Sequence, residues 1–180
     1  QERGGINAID GYSRQTAGQQ IGVFASQSGP GVENSFGAIA QAWGDSVPIL
    51  FLPGGSGTGS YDIAPNFSAT RNYANVTKLA LSIDQIHRTT REMRRAFHTA
   101  RQGRPGPVLV EMHGDVLRQQ VPENTPPYKP SSPMKYGPSR SDVKDAVAQL
   151  LAANNPVIWA GQGVLYAKAA DQLMQLAELT

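Results

Sequence analysis

The residues whose types and spacing could support chemistry lie in three glycine-rich segments. Ser28-Gly29-Pro30-Gly31 and Gly161-Gln162-Gly163 each follow a short apolar run, and residues 54–60 are almost entirely glycine and serine. Glycines let a ligand approach the backbone closely, and free N–H groups at a following helix start favour anions. Each segment could therefore bind a phosphate or a heterocycle, and the alternative for each is a plain turn.

The turn at residues 28–31, named the Pro30 turn below, is the best candidate of the three. Residues 54–60, named the glycine loop, lack the lysine of a nucleoside triphosphate loop. The segment at Gly161 lacks the third glycine of a dinucleotide fingerprint. The Pro30 turn lies between a predicted strand and a predicted helix, and open parallel sheets bind ligands at that place.

Charged residues elsewhere favour a solvated surface over a binding site. One predicted helix carries five arginines: Arg88, Arg91, Arg94, Arg95 and Arg101. Apart from Phe97, no aromatic residue interleaves with them for base stacking, so the sequence predicts no nucleic-acid partner. His87, His98 and His113 lack the spacing of zinc ligands. By composition alone, Glu2 is an ordinary exposed glutamate.

The composition predicts a soluble cytoplasmic protein with no membrane partner. The 180 residues are 39% hydrophobic and 17% charged, with a net charge of +2 and no cysteine. No apolar run approaches the roughly 20 residues that cross a bilayer. The absence of cysteine excludes disulfides, thiolate metal sites and a cysteine nucleophile.

The apolar patterns predict an α/β fold with a mainly parallel sheet flanked by helices. We expect strands at residues 21–25, 47–52 and 108–112, and a helix over residues 32–43. A longer helix is expected to begin at Ser82, because Gln85 three residues later would complete a capping box, and to end at Gly103. Residues 61–76 are predicted to be irregular.

A proline-rich segment divides the sequence. Residues 122–138 contain six prolines: Pro122, Pro126, Pro127, Pro130, Pro133 and Pro138. Such a composition is typical of an extended linker. It predicts one domain over residues 1–121 and the beginning of a second α/β domain over residues 139–180, with a strand at residues 156–160 between two helices. We expect the chain to be part of a longer enzyme.

Five motifs in order resemble those of thiamine-diphosphate enzymes of the acetolactate synthase and pyruvate oxidase group. They are Glu2-Arg3-Gly4-Gly5, Asp10-Gly11-Tyr12-Ser13-Arg14, Ser28-Gly29-Pro30-Gly31 with Asn34, Asp45-Ser46-Val47-Pro48 and Gly103-Arg104-Pro105-Gly106-Pro107-Val108. The resemblance implies that residues 1–121 form a pyrimidine-binding domain without its first strand–helix unit. Residues 139–180 resemble the start of the family's central domain.

The resemblance also implies a cofactor site and the roles of its residues. In these enzymes a glutamate at the position of Glu2 bonds N1′ of the cofactor's aminopyrimidine and activates the cofactor. Gln27, Pro30, Gly31 and Asn34 match positions that line the pyrimidine. Thiamine diphosphate and Mg²⁺ are expected as cofactors, with the diphosphate and metal held by a domain absent from this sequence. A flavin is possible in this family.

The function implied is that of a carboligase or decarboxylase, a transferase or lyase acting on a 2-oxo acid or a related small molecule. Relatives place the active site between subunits, so a homodimer or homotetramer is expected, and these 180 residues are expected to be inactive alone. Two alternatives stay open: a non-catalytic nucleotide-binding module that uses the glycine loop or residues 161–163, and a degenerate copy of the same fold.

Overall fold

The protein divides into two compact units, described from a computed structural model. The units are Gln1–Pro133 and Met134–Thr180. The structure describes residues 1–132 and 134–180, so Pro133, which falls in the predicted linker, lies outside the described residues. The predicted domain boundaries at residues 121 and 139 stay predictions.

The first unit is built on a four-stranded parallel sheet, which confirms the predicted fold class. Its strands are β1 (Gly22–Ser26), β2 (Ile49–Gly55), β3 (Leu79–Ile83) and β4 (Val108–His113). They lie in the order β1-β2-β4-β3, and every neighbouring pair is parallel. All four strands therefore end at one edge of the sheet, named the carboxyl edge below.

Helices cover both faces of this sheet, because parallel strands must be joined by crossovers. The helices of the first unit are α1 (Glu2–Gln15), α2 (Pro30–Glu33), α3 (Phe36–Gly44), α4 (Ala69–Tyr73), α5 (Thr89–Arg101) and α6 (Gly114–Leu117), with short 3₁₀ turns at Thr58–Ser60 and Ile86–Arg88. Residues of α1, α2, α3 and α4 pack around Phe51 and Leu109. Residues of α5 and α6 pack around Leu50 and Val110, whose side chains alternate with those of the first cluster.

Helix α1 runs antiparallel to β1 at close range. An added Cβ on Gly22 would lie 2.4 Å from the backbone oxygen of Ile9, and one on Gly5 would lie 2.1 Å from the ring of Phe24. Ile9 therefore faces the start of β1, Gly5 faces its middle, and the first turn of α1 lies at the carboxyl edge. Arg14 fixes the other end of the helix through ion pairs with Asp10 (2.6 Å) and Asp45 (2.7 Å).

The second unit contains helices α7 (Arg140–Ala152), α8 (Gly163–Ala167) and α9 (Ala170–Leu179). Ser139 caps α7 in a capping box with Asp142. The strand predicted at residues 156–160 does not form. A strand needs a neighbour for its backbone hydrogen bonds, and the described residues of this unit supply none.

Two predictions for residues 61–88 are wrong. Ser82 and Ile83 belong to β3, and α5 begins only at Thr89, so Ser82 and Gln85 form no capping box. The segment predicted to be irregular contains α4. Ser82 and Ile83 form a strand instead of a helix start because they pair with β4, where Ser82 lies opposite Glu111 and Ile83 opposite Met112.

Among the described helices, none combines the length and apolar character that a membrane span requires.

Candidate functional site

The carboxyl edge gathers most of the sequence-predicted site residues in one place. β1 ends at Ser26 and leads into the Pro30 turn, and β2 ends at Gly55 and leads into the glycine loop. These two segments are adjacent, since an added Cβ on Gly54 would lie 3.2 Å from the backbone nitrogen of Ser28. The topology thus places the two segments side by side at the end of the sheet, where α/β proteins commonly bind ligands. This place is named the cleft below.

The Pro30 turn is a closely packed bend. Gly29 adopts a φ of +65°, and Pro30 begins the short helix α2. Gly31 is buried, and an added Cβ would lie 2.7 Å from Cγ of Gln27. The aliphatic part of the Gln27 side chain therefore lies over Gly31. Helix α2 ends at Asn34, whose side chain is exposed. The four predicted residues of this region, Gln27, Pro30, Gly31 and Asn34, thus lie within one bend.

Two buried hydroxyl groups hold the Pro30 turn and the start of α2 through hydrogen bonds to backbone carbonyls. Ser35 Oγ donates to the carbonyl of Gly31 at 2.8 Å, and the Tyr73 hydroxyl donates to the carbonyl of Val32 at 2.5 Å. Burial raises the pKa of Tyr73, so its hydroxyl stays a donor. The position of the turn therefore depends on α4, which carries Tyr73.

We expect Tyr73→Phe to destabilise the fold by about 0.5–1.5 kcal/mol, because the buried carbonyl of Val32 loses its shorter hydrogen bond and keeps only the backbone N–H of Ser35 at 3.2 Å. Chemical denaturation should show this loss with an unchanged slope. A matched control is Tyr61→Phe, whose hydroxyl bonds only the half-buried Thr70 side chain at 2.7 Å. Equal stability of Tyr73→Phe and the parent chain would contradict a supporting role for this hydroxyl.

Glu2 lies in the first turn of α1, at the carboxyl edge. It precedes Gly5 by nearly one helical turn, and Gly5 faces Phe24 in the middle of β1. Three residues of helix rise about 4.5 Å, so Glu2 lies beyond the level of Phe24 on the side of the carboxyl edge, toward Ser26 and the Pro30 turn. The residue is half-buried, and within residues 1–132 and 134–180 its carboxylate takes part in no hydrogen bond or ion pair.

The glycine loop is held at Thr58, whose backbone and side-chain donors are both occupied by Asp115. Asp115 accepts hydrogen bonds from the Thr58 backbone nitrogen at 3.0 Å and from the Thr58 hydroxyl at 2.6 Å. These bonds keep the pKa of Asp115 below its usual range. A phosphate would need the same donors and would meet a carboxylate there. The arrangement therefore disfavours the nucleotide-loop alternative for residues 54–60.

Three arginines in and just before α5 form ion pairs with the buried carboxylate of Glu92. Glu92 is only 4% exposed and is approached by Arg88 (3.5 Å), Arg91 (2.6 Å) and Arg95 (3.6 Å). The open pocket beside this helix, lined by Gln85, His87, Arg88 and Arg91, is therefore walled by guanidinium groups that are already paired. In the described chain, residues 1–132 and 134–180, no group of three or more metal-ligating side chains occurs.

Sequence reasoning missed two buried polar residues beside the cleft, Glu111 and His113. They are 2% and 0% exposed, and they lie near the end of β4. Burial, with a smaller contribution from the charge of Asp62, raises the pKa of Glu111 to about 7. The signal for Glu111 is present in the sequence, because a carboxylate interrupts an otherwise apolar strand.

The cleft could hold a neutral heterocycle that offers a hydrogen-bonding nitrogen to a carboxylate. Glu2 has free acceptor oxygens, and the Pro30 turn presents backbone and a proline ring at close range. No lysine or arginine lies in the turn or the glycine loop. An aminopyrimidine fits these groups, whereas a diphosphate and its metal do not.

Comparison with known proteins shows the family of the chain. Residues 1–86 match the family described as thiamine pyrophosphate enzyme, N-terminal TPP binding domain. The chain is 37% identical over 180 residues to glyoxylate carboligase of Escherichia coli O157:H7, covering 98% of this chain and 30% of that protein. It is 35% identical over 190 residues to acetolactate synthase of Mycobacterium bovis, covering 99% of this chain and 29% of that protein.

A third relative has the same relation to the chain. The large subunit of acetolactate synthase isozyme 3 of Escherichia coli K12 is 31% identical over 186 residues, which cover 98% of this chain and 32% of the relative. The chain thus spans about 30% of the length of these curated relatives. With its parallel sheet, its Pro30 turn and these matches, the chain belongs to the thiamine pyrophosphate enzymes of the acetolactate synthase group.

Proposed function

We propose that the chain is the N-terminal part of a thiamine-diphosphate-dependent 2-oxo acid carboligase or decarboxylase, acetolactate-synthase-like. The observation that carries the proposal is the half-buried Glu2 carboxylate, which has no protein partner in the described residues and belongs to the first turn of α1, on the side of the carboxyl edge. The names of the relatives, a carboligase and acetolactate synthases, support the reaction class.

Glu2 is the proposed catalytic residue. Its carboxyl would share a proton with N1′ of the aminopyrimidine, and a partly buried setting favours a shared proton over a fully separated charge. Helix α1 holds Glu2 in place, because its far end is tied through Arg14 to Asp45, the residue that ends α3. Thiamine diphosphate would supply the electron sink that lets a 2-oxo acid lose carbon dioxide or transfer its acyl group.

Pro30, Gly31, Gln27 and Asn34 are the proposed binding residues for the pyrimidine. Gly31 keeps the bend narrow, since any side chain there would meet Gln27. Pro30 offers an apolar ring at the surface of the bend, and the exposed amides of Gln27 and Asn34 can donate to or accept from ring substituents. The hydroxyls of Tyr73 and Ser35 fix this surface before the cofactor arrives.

The diphosphate and Mg²⁺ would be held by a different domain of the intact enzyme. Hard cations prefer several oxygen ligands, and the described residues contain no such group. We propose residues 1–121 as the pyrimidine-binding domain, 122–138 as the linker and 139–180 as the start of the central domain. On this assignment the 180 residues alone are inactive, and any flavin would bind outside the first domain.

The intact enzyme is proposed to be a cytoplasmic homodimer or homotetramer that acts on small-molecule substrates. A cleft at the end of an open sheet offers only one wall to the cofactor, so a second subunit would supply the facing wall. The same wall would exclude water from Glu2 during proton transfer. Whether the enzyme acts as a transferase or a lyase depends on the acceptor that this second wall admits.

Calorimetric titration with thiamine diphosphate and Mg²⁺ tests the proposal. The intact enzyme should bind the cofactor, and the 180-residue chain should bind it weakly or not at all, because it lacks the diphosphate site. Failure of the intact enzyme to bind would overturn the proposed function. Tight binding by the 180 residues would instead overturn the division of the site between domains.

A further inference from the structure

We propose that Glu111 and His113 enclose a binding site for one water molecule, which bridges the two side chains and fixes the glycine loop against the end of β4. The site lies outside the residues assigned to the cofactor. Its existence does not depend on the proposed function, whereas its effect on cofactor binding does.

The two side chains converge on one place beside β2. Residues two apart in a strand face the same side of the sheet, and Glu111 and His113 both point toward Gly55. An added Cβ on Gly55 would lie 2.9 Å from Cγ of Glu111, 3.0 Å from its Oε1 and 2.9 Å from Nδ1 of His113. Only a residue without a side chain fits between them, so the β2 backbone at Gly55 lies directly against both side chains.

The hydrogen-bonding capacity of this pair is unfilled within the described residues. His113 Nδ1 lies 2.5 Å from the carbonyl oxygen of Ser56, which can only accept, so the ring carries its proton on Nδ1. In the neutral ring Nε2 then presents a lone pair. His113 Nε2 and Glu111 Oε2 are both enclosed, and neither has a partner among residues 1–132 and 134–180.

A single water molecule satisfies both atoms. Leaving a buried polar atom unpaired costs about 1–3 kcal/mol, and buried waters bind where several such atoms face one space. The water would donate to His113 Nε2 and use its remaining capacity on Glu111 Oε2. It would accept from a protonated Glu111 and donate to an ionised one, so the site persists through the titration of this carboxyl.

The surrounding groups define the charge of the site. The charge of Asp62 acts on Glu111, and Asp62 is itself ion-paired to Arg71 at 2.7 Å. The Tyr61 ring packs edge-on against His113, with centroids 4.7 Å apart. No lysine or arginine pairs with Glu111 in the described chain, so a neutral guest is favoured over an anion.

The water would act on the cleft through the glycine loop. His113 holds the loop at Ser56 and Asp115 holds it at Thr58. The bridging water fixes the His113 ring and hence the first of these two anchors. Because Gly54 lies against the Pro30 turn, a loop released at Ser56 would leave that turn less supported. Glu111 and His113 are thus positioning residues.

The first experiment examines the intact protein without substitution. A high-resolution crystal structure should show one ordered water within hydrogen-bond distance of His113 Nε2 and Glu111 Oε2. ¹⁵N spectra of the histidine rings should show Nδ1 protonated and Nε2 bare at His113, with the exposed His87 as reference. Direct contact of the two side chains, an empty space, or a proton on Nε2 would overturn the proposal.

The second experiment compares Glu111→Gln with Glu111→Leu in the intact protein. Glutamine keeps a polar group for the water and leucine removes it, so the amides of Thr58 and Ser60 should exchange hydrogen roughly tenfold faster in Glu111→Leu alone. Equal exchange in both variants would overturn the positioning role. If Glu111→Leu does not fold, the first experiment still decides the water site.

A titration of the same variants with thiamine diphosphate separates this inference from the proposed function. Glu111→Leu should bind the cofactor more weakly than Glu111→Gln. If the unsubstituted enzyme does not bind the cofactor, the proposed function fails while the exchange and water results stand. If it binds and the two variants bind equally well, the link between the water and the cleft is wrong.

Discussion

Glu2→Gln in the intact enzyme is expected to slow exchange of the cofactor C2 proton by roughly 10²–10⁴-fold, or about 3–5 kcal/mol of activation free energy. Glutamine keeps the shape and a carbonyl acceptor, but it cannot share a proton with N1′. The measurement is rapid-quench hydrogen–deuterium exchange followed by NMR of the released cofactor. Affinity for thiamine diphosphate should change far less than the exchange rate, since the diphosphate is held elsewhere.

The matched control is Glu123→Gln, which alters an exposed carboxylate of the linker segment and should leave exchange unchanged. Thermal unfolding should show Glu2→Gln within about 1 kcal/mol of the parent chain, because Glu2 has no partner in the described residues beyond the positive end of α1. Normal C2 exchange in Glu2→Gln would remove Glu2 from the mechanism and leave the fold assignment intact.

Glu111→Gln is expected to stabilise the protein above pH 7 and to change little below pH 4.5. The pKa of Glu111 is raised from an ordinary value of 4.5 to about 7, chiefly by burial. Between these two values the folded state holds a proton that the unfolded state has lost, so stability falls as pH rises. The full penalty, reached above pH 7, is up to about 3 kcal/mol.

Urea unfolding of both proteins at intervals from pH 4.5 to pH 8 measures this effect. The difference in unfolding free energy should grow steadily with pH and level off above pH 7. Glu123→Gln again provides a control, since its exposed carboxyl should give a curve parallel to that of the parent chain. A constant difference between Glu111→Gln and the parent chain would show that the folded state does not hold this proton.

The sequence predicted those parts of the fold that are set over a few residues. The apolar runs near Gly22, Leu50 and Val108 are confirmed as strands, and β2 extends to Gly55, three residues past its predicted end. The predicted helix after the Pro30 turn is divided between α2 and α3. The strand β3 was missed because four of its five residues are only half-buried and because Ser82 at its end, with Gln85, has the spacing of a capping box.

The candidate site was likewise predicted only in part. Motif order pointed to the Pro30 turn and Glu2, and the structure adds the hydroxyls of Ser35 and Tyr73 that hold the turn. Tyr73 is 41 residues from Val32 along the chain. No local pattern could pair them, because α4 meets α2 only after both have packed on the sheet.

By itself the sequence determined the α/β class, the position of the Pro30 turn and the family of the chain. These depend on apolar period, on glycine and proline at fixed places, and on short motifs, all of which are local. Only the tertiary structure brought Glu111 and His113 beside Gly55, and Asp115 beside Thr58. These contacts follow from the parallel pairing of β2 with β4, in which Gly55 lies opposite His113 although the two residues are 58 positions apart in the sequence.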